Sequence, residues 1–319
     1  TENGQPKYLT GSFHHLIFDG WSLTVFVREL LTLLAGKAVE PLAWQYPDYA
    51  QFAHGRQELQ RQITAFEREE AGLTEHETFW CDYLRDLPDP LDLRGTASPA
   101  TASNDGKLLV AKIPGEIWNQ LVEIAREENA TPFAAALAMY NALLFRRSQQ
   151  NDIIVGTPVN GRGDIETHPL IGTFVNTLPI RTCVDATMTV RDLIRASSGA
   201  GMEALDHDDV LFDRIVELVN PDRRGGIHPI FQTLFSFQPA IGNLENDDVA
   251  MEYVDLDFGT AKFDLSLDMI DDLDGVRLVF EYRTDLFSDR AISELADSML
   301  ALAEHMAASP DVTLGQLAV

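Results

Sequence analysis

The chain has 319 residues, 45% of them hydrophobic, enough for a packed core in one large domain or two smaller ones. Its 24 Lys and Arg stand against 50 Asp and Glu, and a net charge of −26 repels phosphate backbones and argues against nucleic-acid binding. Two cysteines, Cys81 and Cys183, make no disulfide framework and fit a reducing cytoplasm. Residues 1–10 lack the apolar run of a secretory leader, and no stretch approaches the ~18 apolar residues of a membrane span. Only five of the basic residues are Lys, a composition that fits either a salt-rich habitat or ordinary solubilising charge.

The first predicted elements are a strand end at Gly11–Phe13 and a helix over Leu23–Ala35. Between them runs His14-His15-Leu16-Ile17-Phe18-Asp19-Gly20, the pattern HHxxxDG. A strand–loop–helix junction holds side chains rigidly beside a cavity, and histidine is the natural base near neutral pH. Asp19 is placed to fix the loop through ionic and backbone hydrogen bonds. Plainer readings stand beside this one: Asp19-Gly20 is a common turn pair, and Ser22 reads as a helix N-cap. A metal shared by the two histidines is disfavoured, because adjacent strand residues point to opposite faces and no HExxH completes a site.

Residues 44–86 carry aromatics at irregular helical spacing among many charges and predict one or two amphipathic helices, ended by Pro88 and Pro90. The small, polar stretch 94–106 is the best linker candidate, dividing a first lobe (1–93) from a second (107–319). In the second lobe, strands are predicted at 107–113, 152–159, 174–181, 230–237, 249–256, 263–269 and 276–282. Helices are predicted at 114–128, 133–147, 190–205, 210–219 and 289–306, with Thr131-Pro132 opening the second of them. Such mixing predicts an α/β fold of α+β sandwich type.

Three later segments look unlike generic core. Ile171-Gly-Thr-Phe-Val-Asn176-Thr-Leu-Pro-Ile-Arg181 places an Asn inside an apolar strand, where it needs partners or a polar cavity. His228-Pro-Ile-Phe-Gln-Thr-Leu-Phe-Ser236 is the second. Lys262-Phe-Asp264-Leu, followed by Glu281-Tyr-Arg-Thr-Asp285-Leu-Phe287, is the third. Taken singly, each is more readily packing than function.

Taken in order, with the histidine motif and Tyr46-Pro-Asp48-Tyr49-Ala50 ahead of them, the set resembles the condensation domain of non-ribosomal peptide synthetases across nearly the whole chain. The resemblance implies two chloramphenicol-acetyltransferase-like lobes in a V, the N-terminal one incomplete here. The catalytic histidine would lie between them, reached by the phosphopantetheine arms of an upstream donor and a downstream acceptor carrier protein. It implies amide formation by a monomeric domain beside an adenylation domain, with no cofactor bound directly. It makes His15 the catalytic residue, His14 its structural neighbour, Asp19 a structural carboxylate and Gly20 a close-approach position. Trp21, Ser22, Asn176, Arg181 and Ser236 would line or brace the substrate channel.

In that family about a hundred residues precede the motif, against thirteen here, so the chain is expected to be a fragment. The arginine that pairs with the motif Asp is expected among the missing residues, leaving Asp19 without it. Phe18 and Trp21 lean toward domains taking a D-configured donor. Val175–Pro179 separates the chain from epimerisation domains, and the His pair from heterocyclisation domains. An ester-forming enzyme and a silent domain that recruits a tailoring enzyme are the alternatives.

Overall fold

The computed structural model describes residues 11–55, 73–93, 103–221, 228, 230–239, 257–272 and 274–317. The expected strand 249–256 and residues 94–102 of the expected linker lie outside them. The chain divides into two compact units: a smaller one of residues 1–74, 160–175 and 243–252, and a larger one of residues 75–159, 176–242 and 253–319. Residues 75–93 thus group with the larger unit, and residues 160–175 with the smaller.

The larger unit is mixed α/β. Its six strands are β1 (Gly106–Pro114), β2 (Asp152–Val159), β3 (Asn176–Cys183), β4 (Thr233–Pro239), β5 (Leu265–Asp272) and β6 (Gly275–Arg283). They form one sheet in the order β1-β6-β5-β4-β2-β3. β4 runs parallel to β2 and β5, while the β1–β6, β5–β6 and β2–β3 pairs are antiparallel. Alternation assigns the two faces. Leu265, Leu267 and Met269 of β5 and Leu278 and Phe280 of β6 are fully buried, whereas Ser266 and Asp268 point the other way. Gly156 of β2 leaves room for the Phe231 ring, which a Cβ would meet at 2.2 Å.

Helices α4 (Gly115–Glu127), α5 (Pro132–Ser148), α6 (Val190–Leu205) and α8 (Asp289–Ala308) supply the apolar cover. α5 is buried from Ala134 to Leu144, and five alanines in that stretch let its neighbours approach closely. Its start follows its residues: the Thr131 hydroxyl accepts from the Ala134 N–H, and Pro132 occupies the first turn. α3 (Glu75–Tyr83) and α7 (Phe212–Val219) complete this unit among the described residues.

In the smaller unit, the described residues form a 3-10 turn (His15–Ile17), α1 (Gly20–Leu34), α2 (46–55) and a second 3-10 turn (Ile165–Thr167). α1 closes with a Schellman motif, in which Gly36 at φ +70° lets its N–H reach the Leu33 carbonyl and that of Lys37 reach Thr32. Two expectations are corrected here. Gly11–Phe13 is not in a strand, since no described segment runs beside it to form a ladder. α1 begins at Gly20, three residues earlier than the apolar spacing predicts, because Asp19 rather than Ser22 is its N-cap.

Candidate active site

The two histidines differ in what holds them. His14 is extended and caps the 3-10 turn, its Nδ1 accepting from the Leu16 N–H at 3.2 Å. That bond makes Nδ1 an acceptor and turns the ring back onto its own loop. His15 is exposed, and neither of its ring nitrogens has a hydrogen-bond partner among the described residues. Its carbonyl is held by the Thr173 hydroxyl.

Four residues on, Asp19 is consumed by its surroundings. Oδ1 accepts from the Ser22 N–H at 2.8 Å, the Ser22 hydroxyl at 2.7 Å and Arg162 Nη2 at 3.0 Å. Oδ2 accepts from the Phe174 N–H at 3.0 Å and Arg162 Nη2 at 3.2 Å. Asp19 is 5% exposed, Ser22 0% and Arg162 2%, so this is an ion pair withdrawn from water. Burial alone would push the Asp19 carboxyl up, but the Phe174 and Ser22 hydrogen bonds and the Arg162 charge outweigh it. They hold it below its ordinary value of 3.8. A carboxylate with every lone pair engaged has none left for a substrate proton.

Arg162 corrects the expectation that Asp19 lacks its arginine. It lies 143 residues downstream, in the connection from β2 to β3. Asn160-Gly161-Arg162 reads as an ordinary turn, and Gly161 at φ +59° serves it: a Cβ there would sit 2.0 Å from the Phe174 carbonyl oxygen. Arg162 Nη1 donates to the Thr167 and Leu170 carbonyls at 2.6 and 2.9 Å, and its guanidinium lies 3.9 Å from the centre of the Phe174 ring. The cost of burying the charge pushes this guanidinium down from its ordinary value, against the pull of Asp19, yet an arginine stays charged at neutral pH.

Residues 172–174 form a strap against the histidine loop. Gly172 donates its N–H to Ser22 Oγ at 3.0 Å, and its carbonyl lies 2.8 Å from the same hydroxyl. A Cβ on Gly172 would strike the Tyr46 ring at 2.0 Å, so close approach requires the glycine. Phe174 gives its N–H to Asp19 rather than to the sheet, which is why β3 starts at Asn176 and not at 174. Trp21 donates Nε1–H to the His168 carbonyl at 2.8 Å. Gly20 has an ordinary φ, and a Cβ there would meet no described atom within 4 Å beyond its own stretch of helix.

The remaining residues singled out in the sequence stand in the larger unit. Asn176 donates to the Asp208 and Val210 carbonyls, each at 3.0 Å, and accepts from the Thr177 and Phe212 N–H groups. The strand Asn thus finds its partners in the turn that leads into α7. Arg181 holds Asp152 and the carbonyls of Tyr83, Arg85 and Asp86. Ser236 bonds Asp268 across the parallel β4–β5 pair. Nearby, His228 accepts the Phe231 N–H on Nδ1, and burial pushes its pKa down to about 4, so it is neutral at physiological pH.

The condensation domain family matches residues 3–319. Bacitracin synthase 1 of Bacillus licheniformis is 33% identical over 325 residues, covering 99% of this chain. A dimodular nonribosomal peptide synthase of Bacillus subtilis is 34% identical, covering 95% of it. The chain spans only 6% and 13% of the lengths of these two relatives. Among solved structures, a four-domain nonribosomal peptide synthetase bound to AMP and glycine aligns with a TM-score of 0.76 at 25% identity, covering 95% of this chain and 24% of that one. The X-domain from teicoplanin biosynthesis aligns at 0.80 and 24% identity, over 96% of this chain and 70% of that one, a likeness of fold alone. With the match running over residues 3–319, nearly the whole chain, the chain belongs to the condensation domain family.

Proposed function

We propose that the chain is the condensing part of a non-ribosomal peptide synthetase acting in the cytoplasm. In this reading it joins a donor acyl or peptidyl thioester to an acceptor amine, each tethered by phosphopantetheine to a carrier protein. The amine nitrogen attacks the thioester carbonyl, the C–N bond forms, the C–S bond breaks, and the donor carrier's arm leaves as a thiol. The proton lost by the amine passes to a base or is guided to the leaving sulfur. An adenylation domain elsewhere in the parent protein would load the acceptor carrier.

The observation that carries this reading is the division of labour at the motif. His14 is spent on a cap and Asp19 on an ion pair, while the His15 imidazole is exposed, with both nitrogens uncommitted among the described residues. His15 is the residue able to accept or steer the amine proton. Gly20 keeps bulk away from the substrate path. Much of the rate would come from holding two tethered reactants together, with a smaller acid–base contribution.

The test mixes the full-length protein and its His15→Ala variant with donor-loaded and acceptor-loaded carriers, followed by intact mass. Transfer of the donor acyl mass to the acceptor carrier, reduced by about 10²- to 10⁴-fold in the variant, supports the reading. Equal transfer by both proteins removes His15 from the chemistry, and no transfer with retained carrier binding replaces condensation with recruitment.

A further inference from the structure

The backbone that bears a side chain sets where that side chain can reach. The His15 ring has no hydrogen-bond partner among the described residues, so the hold on its backbone is what places its imidazole. Within its own loop the His15 carbonyl has one weak backbone partner, the Phe18 N–H at 3.5 Å. Its other partner among the described residues comes from the strap: the Thr173 hydroxyl donates to it. Thr173 is itself gripped from behind, because Tyr46 donates its phenol O–H to the Thr173 carbonyl at 2.7 Å. Burial and the nearby Asp19 charge push the Tyr46 pKa up, so the phenol keeps that proton at physiological pH.

The neighbours of Thr173 act on other points of the loop. Gly172 holds Ser22 and Phe174 holds Asp19, both on the helix side of the motif. Those two contacts secure the start of α1. Neither reaches the 3-10 turn that carries His15, which the strap touches through Thr173. We infer that Thr173 is a positioning residue: its hydroxyl pins the His15 carbonyl and so sets the backbone position from which the imidazole reaches. The inference rests on the reading of His15 as the residue that handles the amine proton.

The experiment compares wild type, Thr173→Val and Thr173→Ser in the full-length protein by two readouts. Hydrogen exchange over residues 13–19 reports the anchor without requiring turnover, and amide formation between loaded carriers reports its use. Valine keeps the shape and loses the hydroxyl. It should speed exchange of the 16–18 amides about tenfold and lower kcat about tenfold, with the acceptor KM within about twofold and the melting temperature unchanged. Serine should restore both. Wild-type exchange in the valine variant, or serine as impaired as valine, overturns the inference. If the exchange pattern appears but wild type makes no amide, the anchor stands and the assigned reaction falls. Should the valine variant fail to fold, Tyr46→Phe loosens the same anchor from behind and should shift the same amides by a smaller factor, and no shift overturns the inference.

Discussion

Asp19 and Asn176 are the two polar side chains that the sequence places most conspicuously among apolar neighbours, and both are buried, at 5% and 7% exposure. Each ties a turn to a regular element: Asp19 starts α1, and Asn176 joins β3 to the turn before α7. They differ in charge. Asn176 offers two donors and an acceptor, so two carbonyls and two N–H groups satisfy it with no counter-ion. Asp19 offers acceptors only, and the three hydrogen bonds from Ser22 and Phe174 leave a net negative charge that Arg162 must neutralise. A neutral anchor needs no counter-ion, and backbone groups complete it. The charged one does, and here the fold supplies it from 143 positions along the chain.

The sharpest way to break this pairing is to remove the counter-ion. Arg162→Met should cost about 3–5 kcal/mol of unfolding free energy, because it strands a buried carboxylate. Urea denaturation measures the loss, and a cost below about 1 kcal/mol would show that water reaches Asp19. Asn176→Ala should cost less, about 2–3 kcal/mol, by leaving buried groups in the 208–212 turn unpaired.

Charge swapping sharpens the contrast through pH. Asp19 has a depressed folded pKa, so its stabilisation is complete above the ordinary value of 3.8 and is lost as pH falls through the lower folded value. The gap in urea midpoint between wild type and Asp19→Asn should therefore be constant from neutral pH down to about 4 and narrow below it. Asn176→Asp does the opposite. A carboxylate facing the Asp208 and Val210 carbonyls has a raised folded pKa, so this variant should be less impaired in acid than at neutral pH. A pH-independent deficit would mean that the turn had rearranged. The smallest effect belongs to the surface: with a net charge of −26, the urea midpoint should rise modestly with KCl as repulsion is screened, and indifference to salt would mean the charge is locally compensated.

Sequence and structure agree best where a pattern is local. The alternation in β5 and β6, the Thr131-Pro132 helix start and the long apolar face of α8 are legible because neighbours within a few residues determine them. The ordered motifs from His14 to Phe287 are legible as a family likeness before any contact is known. What the residues do not disclose is partnership at long range. Arg162 sits in a turn-like Asn-Gly-Arg with no periodicity around it, and Thr173 is one small residue between two motif positions. Asn176 announces a need for partners but not where they lie. The early start of α1 follows from the Asp19 carboxylate, which accepts the Ser22 N–H and so caps the helix three residues ahead of its apolar spacing.

The separation of Asp19 from Arg162 also orders events during synthesis. With the two 143 positions apart, the ribosome needs roughly 7–30 s at about 5–20 residues per second to deliver the arginine after the aspartate. Throughout that interval the histidine loop has neither its strap nor its counter-ion, and contacts of such long sequence separation also form slowly once both partners exist. The histidine loop therefore cannot close until the chain has grown past Arg162 and the strap, so its start waits without its anchors while the strands and helices that precede Arg162 emerge.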